Sequence, residues 1–333
     1  MAYKMTKEQF NQYLRSWQNE YKIYAPVVYP GKGNFTNTDS VRYKEVNRIE
    51  EIAFNQKSDY SAKEIVLPIT QTLFYFTEDN WAEPKISDGK ILIFARSCDI
   101  HAIKRLDDIY LRNGFEDPYY KVFRDKVRFA LIECPNSFAN CFCVSMGTNI
   151  THEYDLFVRL DGEFIYVGVN NPEFSCLGEQ EIQADPQFVQ KNAVTVAVPD
   201  QFNLTQVAEA KLWQEYSSRC QGCGRCSFVC PTCSCFSMQD IFYKENANAG
   251  ERRRVWASCL VDGFTDMAGG HGFRKSKGDR MRFRVMHKIG DYKKRFGYHM
   301  CVGCGRCDDI CPEYISFSNC INKLTNVVEE AKV

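Results

Sequence analysis

The chain has 333 residues, 42 basic against 42 acidic side chains and 44% apolar residues, enough for one large domain or two ordinary ones around a real core. This excludes a disordered tail or a miniprotein, and a formal charge of zero excludes a chain built mainly to hold nucleic acid, which needs a surplus of Lys and Arg. No run approaches the roughly 18 apolar residues that span a bilayer, and the start MAYKMTKEQFNQYLRSWQNEYK lacks the apolar core of a signal peptide, so a cytoplasmic chain without membrane contact is expected.

In chain order, the strand-like runs KEIVLPIT, GKILIFA and VRFALIE alternate with helical stretches such as HAIKRLDDIYLR, the pattern of a mixed α/β domain. LFVRLDGEFIYVGV places Asp161-Gly162 between two apolar runs and predicts a hairpin. AVTVAVPD reads as a last strand, and a more helical region begins near Asn203. The expected class is α+β: an N-terminal mixed α/β domain over residues 1–205, followed by a mainly helical domain over residues 206–333.

The 17 cysteines are unevenly placed. None precedes Cys98, four lie between Cys98 and Cys143, one is Cys176, and twelve fall between Cys220 and Cys320. At about 5% of the chain they fall below the roughly 8–10% of small secreted disulfide scaffolds. In a reducing compartment such spacing points to metal.

The second half holds one internal repeat. Cys220-x2-Cys223-x2-Cys226-x3-Cys230-Pro231 recurs as Cys301-x2-Cys304-x2-Cys307-x3-Cys311-Pro312, with QGCGRC matched by VGCGRC. This is the bacterial ferredoxin run for a [4Fe–4S] cluster, in which three closely spaced thiolates on a glycine-opened loop reach three corners of a cube. In two-cluster ferredoxins the fourth cysteine of each run binds the other cluster. One cluster is therefore assigned to Cys220, Cys223, Cys226 and Cys311, and the other to Cys301, Cys304, Cys307 and Cys230. Zinc also takes four thiolates, but its structural sites usually read as two separated pairs. About seventy residues separate the runs, and much of that interval reads as helix.

A third four-cysteine set lies in the first half. Strand-like runs lead into Cys98 and into Cys134, and the next loop adds Cys141 and Cys143. Strand ends in an α/β sheet collect ligands; if the two strands are neighbours, these four thiols converge and a third [4Fe–4S] cluster is expected. The plain alternative is that each is a small buried hydrophobe.

Cys233 and Cys235 either pack beside the first run or replace Cys230, and packing is the expected role. Cys176, Cys259 and Cys320 are expected to fill core space. His101 follows Cys98 by three residues and is a candidate hydrogen-bond donor to a cluster sulfur. Gly269-Gly270-His271-Gly272 reads as a turn, lacking a Walker lysine or a full dinucleotide fingerprint. The segment from Arg274 to Arg295 is strongly basic; it either offsets cluster charge, docks a partner, or forms a solvated helical face.

The two ferredoxin runs, Cys-Pro-Thr-Cys-Ser-Cys-Phe after the first, and Arg-Ser-Cys-Asp-Ile-His-Ala-Ile in the preceding domain resemble the iron–sulfur subunit of anaerobic sulfite reductase over nearly the whole chain. The beta subunit of cytoplasmic sulfhydrogenases is similar in pattern. The resemblance implies an electron-transfer role within a hetero-oligomer, passing electrons from an NADH-oxidising flavin (FAD) subunit to a sirohaem subunit that reduces sulfite to sulfide. The alternative it implies is a beta subunit of a sulfhydrogenase or another flavin-linked hydrogenase complex. With no nucleophile constellation or dinucleotide fingerprint, the chain is expected to move electrons while its partners do the bond chemistry.

Overall fold

A computed structural model describes residues 2–34, 37–86, 88–176 and 178–330. The fold is α+β. Its main sheet has eight strands: β1 (Ala2–Thr6), β2 (Tyr21–Tyr29), β3 (Ser40–Glu45), β6 (Lys90–Ala95), β7 (Val127–Ile132), β8 (Leu156–Asp161), β9 (Phe164–Val169) and β10 (Gln180–Ile182), in the order β10-β1-β9-β8-β7-β6-β2-β3. The pairs β2–β6, β6–β7 and β7–β8 are parallel, and the flanking pairs are antiparallel.

The central strands are buried on both faces, which is why they read as continuous apolar runs. Leu92, Phe94, Ala130 and Ile132 face a core closed by Phe10, Leu14 and Trp17 of the helix Lys7–Trp17. Ile91, Ile93, Ala95 and Leu131 face a second core closed by Ile103 and Leu106 of the helix Ser97–Leu111. The first helix starts with a capping box between Thr6 and Gln9, which satisfies two otherwise orphan backbone donors. The β8–β9 turn falls one residue later than the sequence predicts: Asp161 pairs with Phe164, and Gly162, at φ +60°, supplies the positive dihedral.

Two predicted strands take other forms. KEIVLPIT is a short helix, Lys63–Val66, and strand β4 (Thr70–Phe76) begins only after Pro68; proline has no N–H to give a ladder and restricts the residue before it. AVTVAVPD forms no strand among the described residues. Its backbone instead meets side chains: Val196 N–H donates to Ser145 Oγ (3.0 Å), Ala197 N–H to Asn322 Oδ1 (3.2 Å), and the Ala197 carbonyl accepts from Thr325 Oγ1 (2.7 Å). The segment is thus fastened to the helix Phe317–Glu330.

The interval between the cysteine runs is not chiefly helical. It carries the hairpin β11 (Phe236–Phe242) and β12 (Gly250–Trp256), which joins β4 and β5 (Trp81–Ala82) in an antiparallel sheet of order β11-β12-β4-β5. Strand β12 pairs with a strand from each half of the chain. Arg254 on β12 is buried, ion-paired to Asp117 at 2.6 Å and donating to Gln71 at 2.8 Å. Among the described residues no helix is long and apolar enough to cross a membrane.

The halves also meet backbone to backbone. Phe142 N–H donates to the Gly303 carbonyl at 2.7 Å, and Thr148 Oγ1 to the Val302 carbonyl at 2.6 Å. A Cβ at Gly303 would stand 2.6 Å from the Phe142 carbonyl oxygen, and one at Gly305 would overlap the Asn140 carbonyl. Beside this contact lies the fully buried ion pair Arg306–Asp99 (2.8 Å), with Arg306 also donating to the Ser58 carbonyl at 2.8 Å.

Two stability measurements check this interlock. Gly305→Ala combines a left-handed φ of +70° with a backbone overlap, whereas Gly147→Ala has φ +64° and open space around the added methyl. The second should cost about 1–2 kcal/mol and the first clearly more, seen as a larger drop in thermal midpoint; equal drops would show that the close approach is absent. Asp99→Asn strands the buried Arg306 charge and should cost about 3–5 kcal/mol in denaturant unfolding, with much of the loss recovered in the double variant Asp99→Asn/Arg306→Met.

Candidate iron–sulfur site

Each ferredoxin run folds as a loop followed by a single helical turn. Gly222 and Gly224 precede Arg225–Phe228, and Gly303 and Gly305 precede Arg306–Asp309; all four glycines have φ between +64° and +75°. The left-handed turns wrap the backbone so that successive thiols point to one side. Amide groups also turn toward sulfur: Gly222 N–H lies 3.3 Å from Cys220 Sγ, Gly303 N–H 3.5 Å from Cys301 Sγ, and Ile315 N–H 3.3 Å from Cys311 Sγ.

The thiols of the two runs surround two adjoining cavities. Cys220, Cys223, Cys226 and Cys311 line the first, and Cys230, Cys301, Cys304 and Cys307 line the second. In each, the fourth cysteine crosses over from the other run. Cys307, Arg284 and Phe317 border both cavities, so a single layer of side chains separates them. Among the described residues no three His, Cys, Asp or Glu side chains converge on a single-ion site. Thiols set apart around a cavity suit the corners of a larger inorganic core.

The basic segment supplies the counter-charge. Along the helix Lys277–Met286 and the π-turn that follows it, Arg280, Arg284 and Lys288 recur every fourth residue and point inward. Arg284 is 3% exposed and faces Cys226, Cys233, Cys307 and Cys230; Lys288 is 2% exposed and faces Cys230, Cys233 and Cys301. Among the described residues neither has a carboxylate within salt-bridge reach. Arg284 donates to the Cys226 carbonyl at 3.1 Å and leaves its Nε without a hydrogen-bond partner, while Lys288 donates to Thr232 Oγ1 at 2.7 Å. Buried cations demand an anion, and four-thiolate clusters, whose potentials respond to nearby charge, are the anions that fit these cavities.

Burial pushes Cys301 up to about 12, and Cys226, Cys304 and Cys307 upward as well. Iron must therefore displace protons as it binds. Cys230 moves the other way: a hydrogen bond with Cys233, followed by the charges of Lys288, Arg284 and Lys63, holds it well below the usual thiol range.

The four cysteines of the first half also come together. Strands β6 and β7 are parallel neighbours, with Ala95 opposite Leu131, so Cys98 and Cys134 leave the sheet at one rim. Cys98 lies near Cys143 and Cys304, and Cys141 lies near both Cys134 and Cys143. Burial pushes Cys98 and Cys134 up and Cys143 up to about 11. The set adjoins the second cavity: Cys98 packs with Ala102, Val302 and Cys304, and Cys141 Sγ lies 3.5 Å from the Cys304 carbonyl. Cations attend it too. Lys57 Nζ lies 3.8 Å from Cys141 Sγ, 3.0 Å from the Cys304 carbonyl and 2.6 Å from Asp309, and Arg96 reaches Cys134. Cys134 opens on a polar cleft that Arg96, Glu133, Phe138 and Arg159 help to line.

Other sequence candidates are placed differently. His101 Nε2 pairs with the Ile150 carbonyl at 2.8 Å rather than with a sulfur. The glycine cluster at 269–272 is a turn closed by a bridge between Met267 and His271. Cys176 is buried in the core beneath the helix Lys7–Trp17, and Cys320 is buried and hydrogen-bonded with Tyr216. Cys233 packs against Cys230, as expected of it, but Cys259 touches Cys235 rather than filling apolar space. Lys57, Lys63, Arg96 and Arg306 are the residues that motif reading misses. The four-residue recurrence of Arg280, Arg284 and Lys288 was the available signal for the inward stripe; the first-half cations carry no local signal.

Residues 219–315 match the family model described as a 4Fe-4S dicluster domain. Sulfhydrogenase 2 subunit beta of Pyrococcus furiosus is 31% identical over 334 residues, covering 94% of this chain and 95% of the relative. No solved structure matches. The cysteine-lined cavities, the dicluster match and the end-to-end similarity make this an iron–sulfur electron-transfer subunit, and the chain belongs to the sulfhydrogenase beta-subunit family.

Proposed function

We propose that the chain is an electron wire with three stations: Cys98, Cys134, Cys141 and Cys143; then Cys230, Cys301, Cys304 and Cys307; then Cys220, Cys223, Cys226 and Cys311. The observation that carries the reading is the exchange of the fourth cysteine between adjoining cavities, with the third set seated on the loop of Cys304. [4Fe–4S] centres supply one-electron transfer. The protein's own side chains hold them a short distance apart, exclude water with Phe142, Phe317 and Ile315, and set the local charge through Arg284, Lys288 and Lys57. The two ends of the wire reach the surface, at the cleft beside Cys134 and at exposed Cys223. Two openings suit two partners in a hetero-oligomer.

For those partners, the end-to-end similarity to a sulfhydrogenase beta subunit favours a hetero-oligomeric hydrogenase complex, which the family resemblance suggests is flavin-linked. The Arg-Ser-Cys-Asp-Ile-His-Ala-Ile segment suits both families, and the second reading, in which a sirohaem subunit reduces sulfite, rests on the resemblance to anaerobic sulfite reductase. The tagged chain purified anaerobically with its partners decides between them. Nickel with flavin establishes the first reading, and sirohaem absorption bands with flavin establish the second.

Iron content tests the stations. The intact chain should hold about 12 iron atoms against about 8 for two clusters alone, and Cys134→Ser should lower the first figure to about 8. Cys311→Ser should alter the paramagnetic signal of the centre held by the other run, Cys220, Cys223 and Cys226. A change confined to the centre of Cys301, Cys304 and Cys307 would refute the exchange.

A further inference from the structure

Three cysteines outside the proposed stations lie together beside the middle one. Cys233, Cys235 and Cys259 are brought there by the hairpin. Phe236 and Trp256 are the last paired residues of β11 and β12, and one step further the Ala257 N–H donates to the Cys235 carbonyl at 2.9 Å. The open end of the hairpin thus holds Cys235 against the turn that carries Cys259, and the two thiols are hydrogen-bonded to each other. Ser258 Oγ, hydrogen-bonded to Ser227 Oγ at 2.9 Å, pins that turn to the first cysteine run. Cys233 lies between this pair and Cys230: it is hydrogen-bonded with the Cys230 thiol and close to Cys259.

The arrangement differs in kind from the stations. There, thiols stand apart around a cavity; here they touch, and neither cysteine-lined cavity includes them. Among the described residues no single-ion site is formed either. The surroundings are cationic. Lys63 is 2% exposed, donates only to the carbonyls of Cys233 (3.0 Å) and Ser227 (3.3 Å), and stands over the Trp256 ring at 4.0 Å; it and Lys288 both face Cys235. Among the described residues Lys63 has no carboxylate within salt-bridge reach; burial pulls it down to about 8, and the neighbouring Cys233 and Cys230 thiols act the other way. The hydrogen bond from Cys259, then the charges of Lys288 and Lys63, hold the Cys235 thiol below its ordinary range.

We propose that Cys235 and Cys259 are a redox-active dithiol that closes to a disulfide and reopens by exchanging electrons with the adjoining ring of Cys230, Cys301, Cys304 and Cys307. This rests on the reading of that ring as the middle station. On closure the Cys259 S–H bond breaks and a bond forms between its sulfur and the Cys235 thiolate, releasing one proton and two electrons. The proton leaves on the side where Cys235 is only half-buried. The electrons would depart singly past Cys233 toward Cys230, the acceptor being the [4Fe–4S] centre that Cys230, Cys301, Cys304 and Cys307 would hold; reopening reverses each step. The pair would join two-electron chemistry at a partner to one-electron steps along the wire.

The test uses the intact complex, poised anaerobically with mediators at a series of potentials. Free thiols are then trapped by alkylation, and peptides are mapped by mass spectrometry without reduction. The expected result is a disulfide-linked pair of peptides carrying Cys235 and Cys259 at oxidising potentials, replaced by two alkylated thiols at reducing ones. The linked pair should be lost in Cys259→Ser and in Cys235→Ser, with iron content unchanged in both. Two alkylated thiols at every potential, or iron lost on either substitution, would overturn the proposal. Iron content and the paramagnetic signals of the unsubstituted complex report separately on the middle station, so its failure is distinguishable from failure of the dithiol.

Discussion

Burying thiolate-bound inorganic centres in a protein of neutral overall charge requires cations to be buried with them. Arg284 and Lys288 lie inside with no carboxylate in salt-bridge reach among the described residues, a costly arrangement unless another anion is present. Much of the fold can be understood as holding these charges in place. The helix Lys277–Met286 opens with a capping box between Ser276 and Asp279, so its inward stripe of Arg280, Arg284 and Lys288 enters at a fixed angle. The same helix packs Met281, Val285 and Met286 into the apolar core around Trp213 and Tyr216. Apolar packing thus supplies the stabilisation that lets the arginine and lysine stay buried.

The two halves of the chain share a sheet and a backbone contact. β12 lies between a strand from its own hairpin and a strand from the first half, and Arg254, at its centre, is anchored to Asp117 and Gln71. The close approach of Gly303 and Gly305 to residues 140–142 brings the Cys141–Cys143 loop onto the loop of Cys304 with nothing larger than backbone between them. A side chain at either glycine would open that distance, and electron transfer weakens steeply as carriers separate.

What could be read from the sequence was local. The eight ferredoxin-run cysteines lie at fixed short spacings, and β6 and β7 announce themselves as apolar runs because both their faces are buried. That Cys98 and Cys134 leave the sheet at one rim was also foreseeable, since both follow strands and the two strands are parallel neighbours. The hairpin β11–β12 was hidden for a physical reason: GERRRVW carries three consecutive arginines, and only the tertiary partners Asp117, Gln71 and Asp240 make a strand of them. AVTVAVPD alternates as a strand should, yet its ladder is replaced by side chains of a helix more than a hundred residues away. Lys63 left no trace, because its burial depends on Cys233 and Ser227, which meet it only in the folded chain.

Charge also distinguishes the two ends of the proposed wire. Cys134 at one end borders a polar cleft in which Arg159 is held by both oxygens of Glu133 at 2.8 Å, so the arginine there is already neutralised and the cleft is not simply an anion trap. Cys223 at the other end is exposed beside Arg225, in a loop whose remaining cysteines are wholly or partly buried. A centre near solvent and one in a cation-rich interior experience different surroundings, and cluster potential follows net charge, hydrogen bonding and exposure. On the proposed reading, the middle ring, flanked by Lys288, Arg284 and Lys57 and shielded by Phe142 and Phe317, would have surroundings that favour the reduced state. In the proposed wire, the middle station is where loops from the two halves of the chain meet, Cys98 and Cys141 packing against the loop of Cys304.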